Sequence, residues 1–108
     1  MSDGKEFYIE VKNDSRIHET YNVLCEEEVY YKESDYYGRG NMSAACDYYV
    51  VVSQASRKIY VLDFKILRSV YRRGEYKVIN HPTQTTYCYL CNIGSLKRNG
   101  ALLEVLEY

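Results

Sequence analysis

Glu10 and Lys12 stand two residues apart in the stretch "FYIEVKND", residues 7–14. On a strand, positions i and i+2 share a face and lie roughly 7 Å apart. A carboxylate and an amine placed this way suit metal-assisted phosphoryl chemistry. The acid holds a divalent cation that polarises a phosphate and acidifies a water, and the lysine steadies the nucleophile or the developing charge. Alone, the acid-x-lysine pair is a weak signal that many strands carry by chance. A second set lies further along. Asp47 opens "DYYVVVS", and Asp63-Phe64-Lys65 closes "KIYVLD". Asp47, Asp63 and Lys65 offer the same chemistry from one hairpin, with Glu26, Glu27 or Glu28 to supply a further acid. Asp63 reads equally well as the N-cap of the helix after it, which commits its carboxylate to backbone N–H groups.

The four cysteines are Cys25, Cys46, Cys88 and Cys91. Cys88-x-x-Cys91 has zinc-like spacing, but on a strand its two side chains point to opposite faces and cannot clamp one ion. There is no second such pair, and the only histidines are His18 and His81. Buried thiols are the default reading, and no metal is assigned from these residues.

The elements that must position the candidate residues follow from periodicity. Asp3-Gly4 is a hairpin dipeptide, with only Met1 and Ser2 before it, so the expected preceding strand is missing. A strand over 6–12 puts Phe7, Ile9 and Val11 on one side, with Val11 packed into the core, and Glu6, Tyr8, Glu10 and Lys12 on the other. Residues 15–31 are ambiguous between a helix and an extended edge strand. Residues 32–46, "KESDYYGRGNMSAAC", read as a long polar loop. Strands 47–53 and 58–63 form a hairpin. "FKILRSVYRR" has Phe64, Leu67, Val70 and Tyr71 on one face and stops at Gly74, a short amphipathic helix. Strands over 75–80, 85–92 and 101–107 follow, with a turn over 94–100 that has room for one helical turn. The fold class expected is α+β: a mostly antiparallel twisted sheet with one or two short helices, in one domain over residues 1–108.

Composition narrows the classes. At 108 residues the chain makes one domain, and 46% hydrophobic residues exclude a disordered tail. The net charge of −1 gives no global field toward nucleic acid, so such contact needs a local patch. Arg57, Lys58, Arg68, Arg72, Arg73, Lys77, Lys97 and Arg98 gather in the second half, with Tyr60, Tyr71 and Tyr76 among them. This is a candidate phosphate-tracking face, although a solvated helix face explains it more simply. No apolar run is long enough to span a membrane and no secretion signal is visible, so a cytoplasmic location is expected. Tyrosine is unusually frequent, at 14 residues. Tyr30, Tyr31, Asp35, Tyr36, Tyr37 and Arg39 are the candidate contact surface for a partner.

"EVKNDSRIHETYN", the acidic run after it, "DYYVVVS … KIYVLDFKIL" and the late "YCYLCNIGSLKRNG" together resemble the PD-(D/E)XK (restriction-endonuclease-like) nuclease superfamily, in the manner of small phage-type members. The resemblance covers most of the chain. It implies a nuclease fold whose acid and lysine correspond to Glu10 and Lys12. It also implies a metal-binding Asp on a preceding strand, behind a helix, and neither element is found here. The expectation is therefore a single nuclease-like domain lacking the usual N-terminal helix and first strand.

Two functions follow from that reading. The preferred one is a non-catalytic protein-binding module, a phage or mobile-element inhibitor of a host nucleic-acid-processing complex (anti-CRISPR or another anti-defence type), with no cofactor. It would meet a protein partner, and a homodimer could form through the exposed sheet edge. The alternative is a Mg²⁺-dependent DNA or RNA endonuclease using Glu10 and Lys12, or Asp47, Asp63 and Lys65.

Overall fold

A computed structural model describes residues 6–14 and 16–108; the Asp3-Gly4 turn expected from the sequence lies outside the described residues. The chain is α+β and its strands form two four-stranded sheets. The first sheet contains β1 (Ile9–Asn13), β4 (Tyr48–Ser53), β5 (Lys58–Asp63) and β8 (Leu102–Glu107), in the order β1-β4-β5-β8. The second contains β3 (Tyr36–Arg39), β2 (Asn22–Tyr31), β7 (Gln84–Asn92) and β6 (Glu75–Asn80), in the order β3-β2-β7-β6. All pairings are antiparallel except β1 with β4, which is parallel. The helices are α1 (Ile17–Thr20), α2 (Phe64–Val70) and α3 (Ile93–Arg98), with 3₁₀ turns at Asn41–Ser43 and Tyr71–Arg73. Among the described residues no helix is long and apolar enough to cross a membrane.

The hairpin β4–β5, the helix after it and the strands near 75–80, 85–92 and 101–107 lie where hydrophobic period and turn chemistry place them. Three expectations change. The sheet is two sheets, because β1 finds a parallel partner in β4 instead of joining β2. The ambiguous stretch 15–31 resolves into one helical turn and the ten-residue strand β2; Tyr21, at φ 54°, ends the helical turn and releases the chain into extended backbone. The expected loop 32–46 is largely ordered. It contains the turn 32–35, then β3, then the 3₁₀ turn. Asp35, at φ 49°, makes the tight reversal that lets β3 fold back on β2.

One core holds both sheets. Tyr49, Val51, Tyr60 and Leu62 project from the inner face of the first sheet, and Val23, Cys25 and Cys91 from the second. Phe64, Leu67 and Val70 of α2 and Ile93 and Leu96 of α3 complete it. The helix starts are set by side chains. Asp63 Oδ1 accepts from Ile66 N–H at 3.0 Å, and Asn92 Oδ1 accepts from Gly94 and Ser95 N–H at 2.9 and 3.3 Å.

The expectation that Val11, on the side it shares with Phe7 and Ile9, packs into the core is overturned. Register pairs Glu10 with the buried Tyr49 and Lys12 with the buried Val51, so the acid and the lysine share the inner face. Ile9 and Val11 fall on the outer face and are 58% and 59% exposed, and Phe7 just before the strand is exposed as well. Alternation along a strand shows that it has two faces, but not which one the rest of the chain covers.

Candidate functional site

β1 carries the first candidate pair, and β2 delivers its partner. The Lys12 ammonium makes an ion pair and hydrogen bond with Glu26 Oε1, across the gap between the sheets. Both side chains are largely screened from solvent. Glu26 holds its place in the regular ladder, paired with Cys88 and on the same face as Leu24; the register against β7 shifts just after it, between Glu26 and Glu28. A bulge of this kind leaves one residue unpaired, here Glu27, and bends the strand. The 3₁₀ turn locks the bulge from behind. Asn41 Oδ1 accepts from Glu26 N–H at 2.7 Å, and Asn41 Nδ2 donates to Tyr49 Oη at 2.7 Å. Gly40 N–H donates to Glu27 C=O at 3.0 Å. The Tyr49 hydroxyl is held well above the usual tyrosine range, by burial first and then by the negative charge of nearby groups that include Glu26, Glu10 and Asp14. Lys12, Glu26, Asn41 and Tyr49 thus form one polar seam beside the core, and Glu10, exposed, shares with Lys12 the face of β1 that borders it.

A groove opens next to this seam. Its volume is about 630 Å³, and Lys12, Asp14, Arg16 and Lys77 line it together with Leu24, Ile79 and Leu90. Three cations against one carboxylate make it locally basic in a chain whose overall charge is close to neutral. Arg16 enters from the turn before α1, and Lys77 from β6 on the second sheet.

The second candidate set is not gathered in the same way. Asp63 spends its carboxylate as the N-cap of α2. Asp47 Oδ2 accepts from Tyr8 N–H at 2.9 Å, tying the entry to β1 onto β4. Asp47 and Lys65 share the rim of a shallow cavity of about 510 Å³ with Cys46 and Arg68, and Asp63 is not part of its lining. Among the described residues no group of three His, Cys, Asp or Glu side chains is gathered as a metal cage.

The tyrosines chosen as a contact surface form a zipped hairpin. Tyr30 and Tyr37 face each other across β2–β3 with ring centroids 4.6 Å apart, and Tyr31 and Tyr36 stack at 6.4 Å. The Tyr30 hydroxyl donates to Asp35 Oδ1 at 2.6 Å, an interaction that leads the causes raising its pKa. Arg39 ends β3 opposite Glu28. These residues therefore hold a hairpin together, with Tyr31, Tyr36 and Tyr37 still exposed. Cys88 and Cys91 do lie on opposite faces of β7: Cys91 Sγ is 3.7 Å from Cys25 Sγ in the core, and Cys88 Sγ donates to Lys77 C=O on the other face.

Sequence reasoning offered Glu26 only as one of three acids for the Asp47 set. Its link to Lys12 depends on β1 and β2 meeting from two different sheets, which no periodic signal announces. Compared with family models, curated proteins and solved structures, the chain matches none of them.

Proposed function

We propose that the chain acts on nucleic-acid phosphodiesters as a divalent-metal-dependent nuclease of the PD-(D/E)XK type, with Glu10, Lys12 and Glu26 at its centre. The observation that carries this reading is the Lys12–Glu26 pair, made on the strand face that also bears Glu10. The sequence alone favoured a non-catalytic module, on the missing strand and its Asp, the tyrosine-rich surface and the near-neutral charge; β2 brings a further acid, Glu26, to Lys12. Mg²⁺ is commonly held by one or two carboxylates, with water and substrate phosphate completing the shell. Glu10 and Glu26 are donors of that kind, and with no third acid gathered, binding would lean on the substrate. A bound cation supplies charge neutralisation at the phosphate and a more acidic water. The chain's own residues do the rest. Lys12, released from Glu26 when that carboxylate turns to other work, offers an ammonium to the attacking water or to the phosphate oxygens. Arg16 and Lys77 hold the flanking backbone in the basic groove, and Tyr49 and Asn41 keep Glu26 aimed.

The test is cleavage of DNA and RNA with Mg²⁺ or Mn²⁺. Lys12→Ala and Glu10→Gln should each lower the rate by at least about 100-fold, the scale of losing one charge-stabilising group, while Lys65→Ala leaves it unchanged. Cleavage that survives Lys12→Ala, or is lost in Lys65→Ala, removes this assignment.

A protein-binding module is the second reading, favoured by the outer face of the first sheet. Ile9, Val11 and Leu106 are exposed there, without a covering element among the described residues. If the wild-type chain cleaves neither nucleic acid with either metal, this reading takes precedence. Self-association then becomes the first measurement, since a homodimer is one way to cover the face.

A further inference from the structure

The second sheet has one face that changes character along its length. At one end Val23, Cys25 and Cys91 are core. At the other end the same face carries Tyr87, Tyr89, Tyr76 and Glu28: register pairs Glu28 with Tyr87 and Tyr76 with Tyr89. These four and Glu27 line a cavity of about 400 Å³, open to solvent. Tyr76 and Tyr89 meet edge to face at 5.2 Å, and Tyr71 meets Tyr89 at 5.6 Å, so the Tyr89 ring is fixed from two sides.

The chain shows at this rim what the lining can hold. Arg72 lies over the Tyr71 ring, 5.4 Å from its centroid, and its Nη2 donates to Glu27 Oε1 at 2.8 Å. Aromatic face and carboxylate together hold that guanidinium, the arrangement that makes cation–π contact favourable. The cavity beside it repeats both ingredients with three tyrosines and Glu28, whose carboxylate has no ion-pair partner among the described residues. Two carboxylates in the lining disfavour a nucleic-acid strand, whose phosphates they would repel. A planar cation satisfies both the rings and the acids.

We propose that this cavity receives an arginine side chain presented by a polypeptide partner. The guanidinium stacks on the tyrosine rings and donates to Glu28, as Arg72 does to Tyr71 and Glu27. The site is separate from the Glu10–Lys12–Glu26 seam, and its standing does not depend on the reading given to that seam.

The test is an NMR titration of the whole chain with the blocked tripeptide Gly-Arg-Gly, beside its lysine and citrulline counterparts. Citrulline has the shape of arginine without the charge. The arginine peptide should shift the Tyr76, Tyr87 and Tyr89 ring resonances saturably, with lysine weaker and citrulline without effect. Glu28→Gln and Tyr76→Leu should each weaken binding by about 5-fold, within the range expected for one such contact, and Tyr76→Phe should bind as the wild type does. Tyr76 is exposed on an edge strand, so these variants can be checked for unchanged folding in the same spectra. Equal binding of citrulline or lysine, a failure of the variants to weaken binding, or a stronger response to a short single-stranded DNA would each overturn the assignment.

Discussion

Gly40→Ala isolates the contact that aims Glu26. Gly40 has φ −82° and ψ −175°, extended backbone that alanine adopts freely, so any effect is steric. A Cβ built there lies 2.2 Å from Glu26 O, 2.4 Å from Glu26 C and 2.7 Å from Glu26 Cβ. The first contact is more than about 1 Å inside ordinary van der Waals separation, and the atoms it meets are mostly backbone that cannot rotate away. Relief requires the 3₁₀ turn to move off β2. That motion strains the Gly40 N–H bond to Glu27 C=O and the Asn41 bond to Glu26 N–H. Overpacking costs about 1–3 kcal/mol, and each weakened hydrogen bond adds about 0.5–1.5 kcal/mol. A loss of about 2–6 kcal/mol is expected, from a total of roughly 5–15 kcal/mol for a domain of this length. Urea unfolding followed by circular dichroism measures it. Gly100→Ala is the control: its φ of +79° imposes backbone strain of about 1–2 kcal/mol, yet nothing lies within 4 Å of the added carbon. If the Gly40 variant unfolds within about 0.5 kcal/mol of wild type, that would falsify the account of how the bulge is held. Where cleavage is observed, the same variant should lose it before it loses its fold, because Glu26 is displaced first.

Asp63→Ala should cost about 1 kcal/mol through the lost cap of α2 and leave any cleavage intact, read by urea midpoint and nuclease assay together. Loss of cleavage at unchanged stability would return Asp63 to the site. Alkaline pH should destabilise the fold. Burial raises the Tyr49 hydroxyl above its ordinary 10.0. The group stays protonated in the folded chain while the unfolded chain ionises. Its stabilising contribution is therefore complete below about pH 9 and falls as pH rises, by up to about 1.4 kcal/mol per pH unit. Unfolding free energies at pH 8 and pH 11 test this, and Tyr49→Phe should flatten part of the slope. An equal stability at the two values would contradict it.

What the sequence made legible is local. The short apolar, β-branched and aromatic runs in "YYVVVS" and "KIYVLD", the Asp63 cap and the stop before Gly74 are decided by neighbours a few residues away, and each lies close to its expected place. The failures all depend on distant partners. β2 looked like either helix or strand because Ile17, Tyr21 and Leu24 keep helical spacing; its long ladder with β7, some sixty residues later, decides the matter. The 32–46 stretch looked like a loop because Tyr36 and Tyr37 sit among polar residues; cross-strand pairing with Tyr30 and Tyr31 orders it. The faces of β1 were assigned by hydropathy, and that inverted them, since the parallel partner β4 turns Glu10 and Lys12 inward. This last error bears on function. An inner face that carries a half-buried Lys12 and an exposed Glu10, while Ile9 and Val11 lie on the outer face, gives up apolar burial. The Lys12–Glu26 pair offsets little of that loss, because removing charges from water costs about as much as their attraction returns. A strand that presents its polar residues to the gap between the sheets and its apolar ones to solvent shows the local inconsistency expected where a strand serves a site instead of the core.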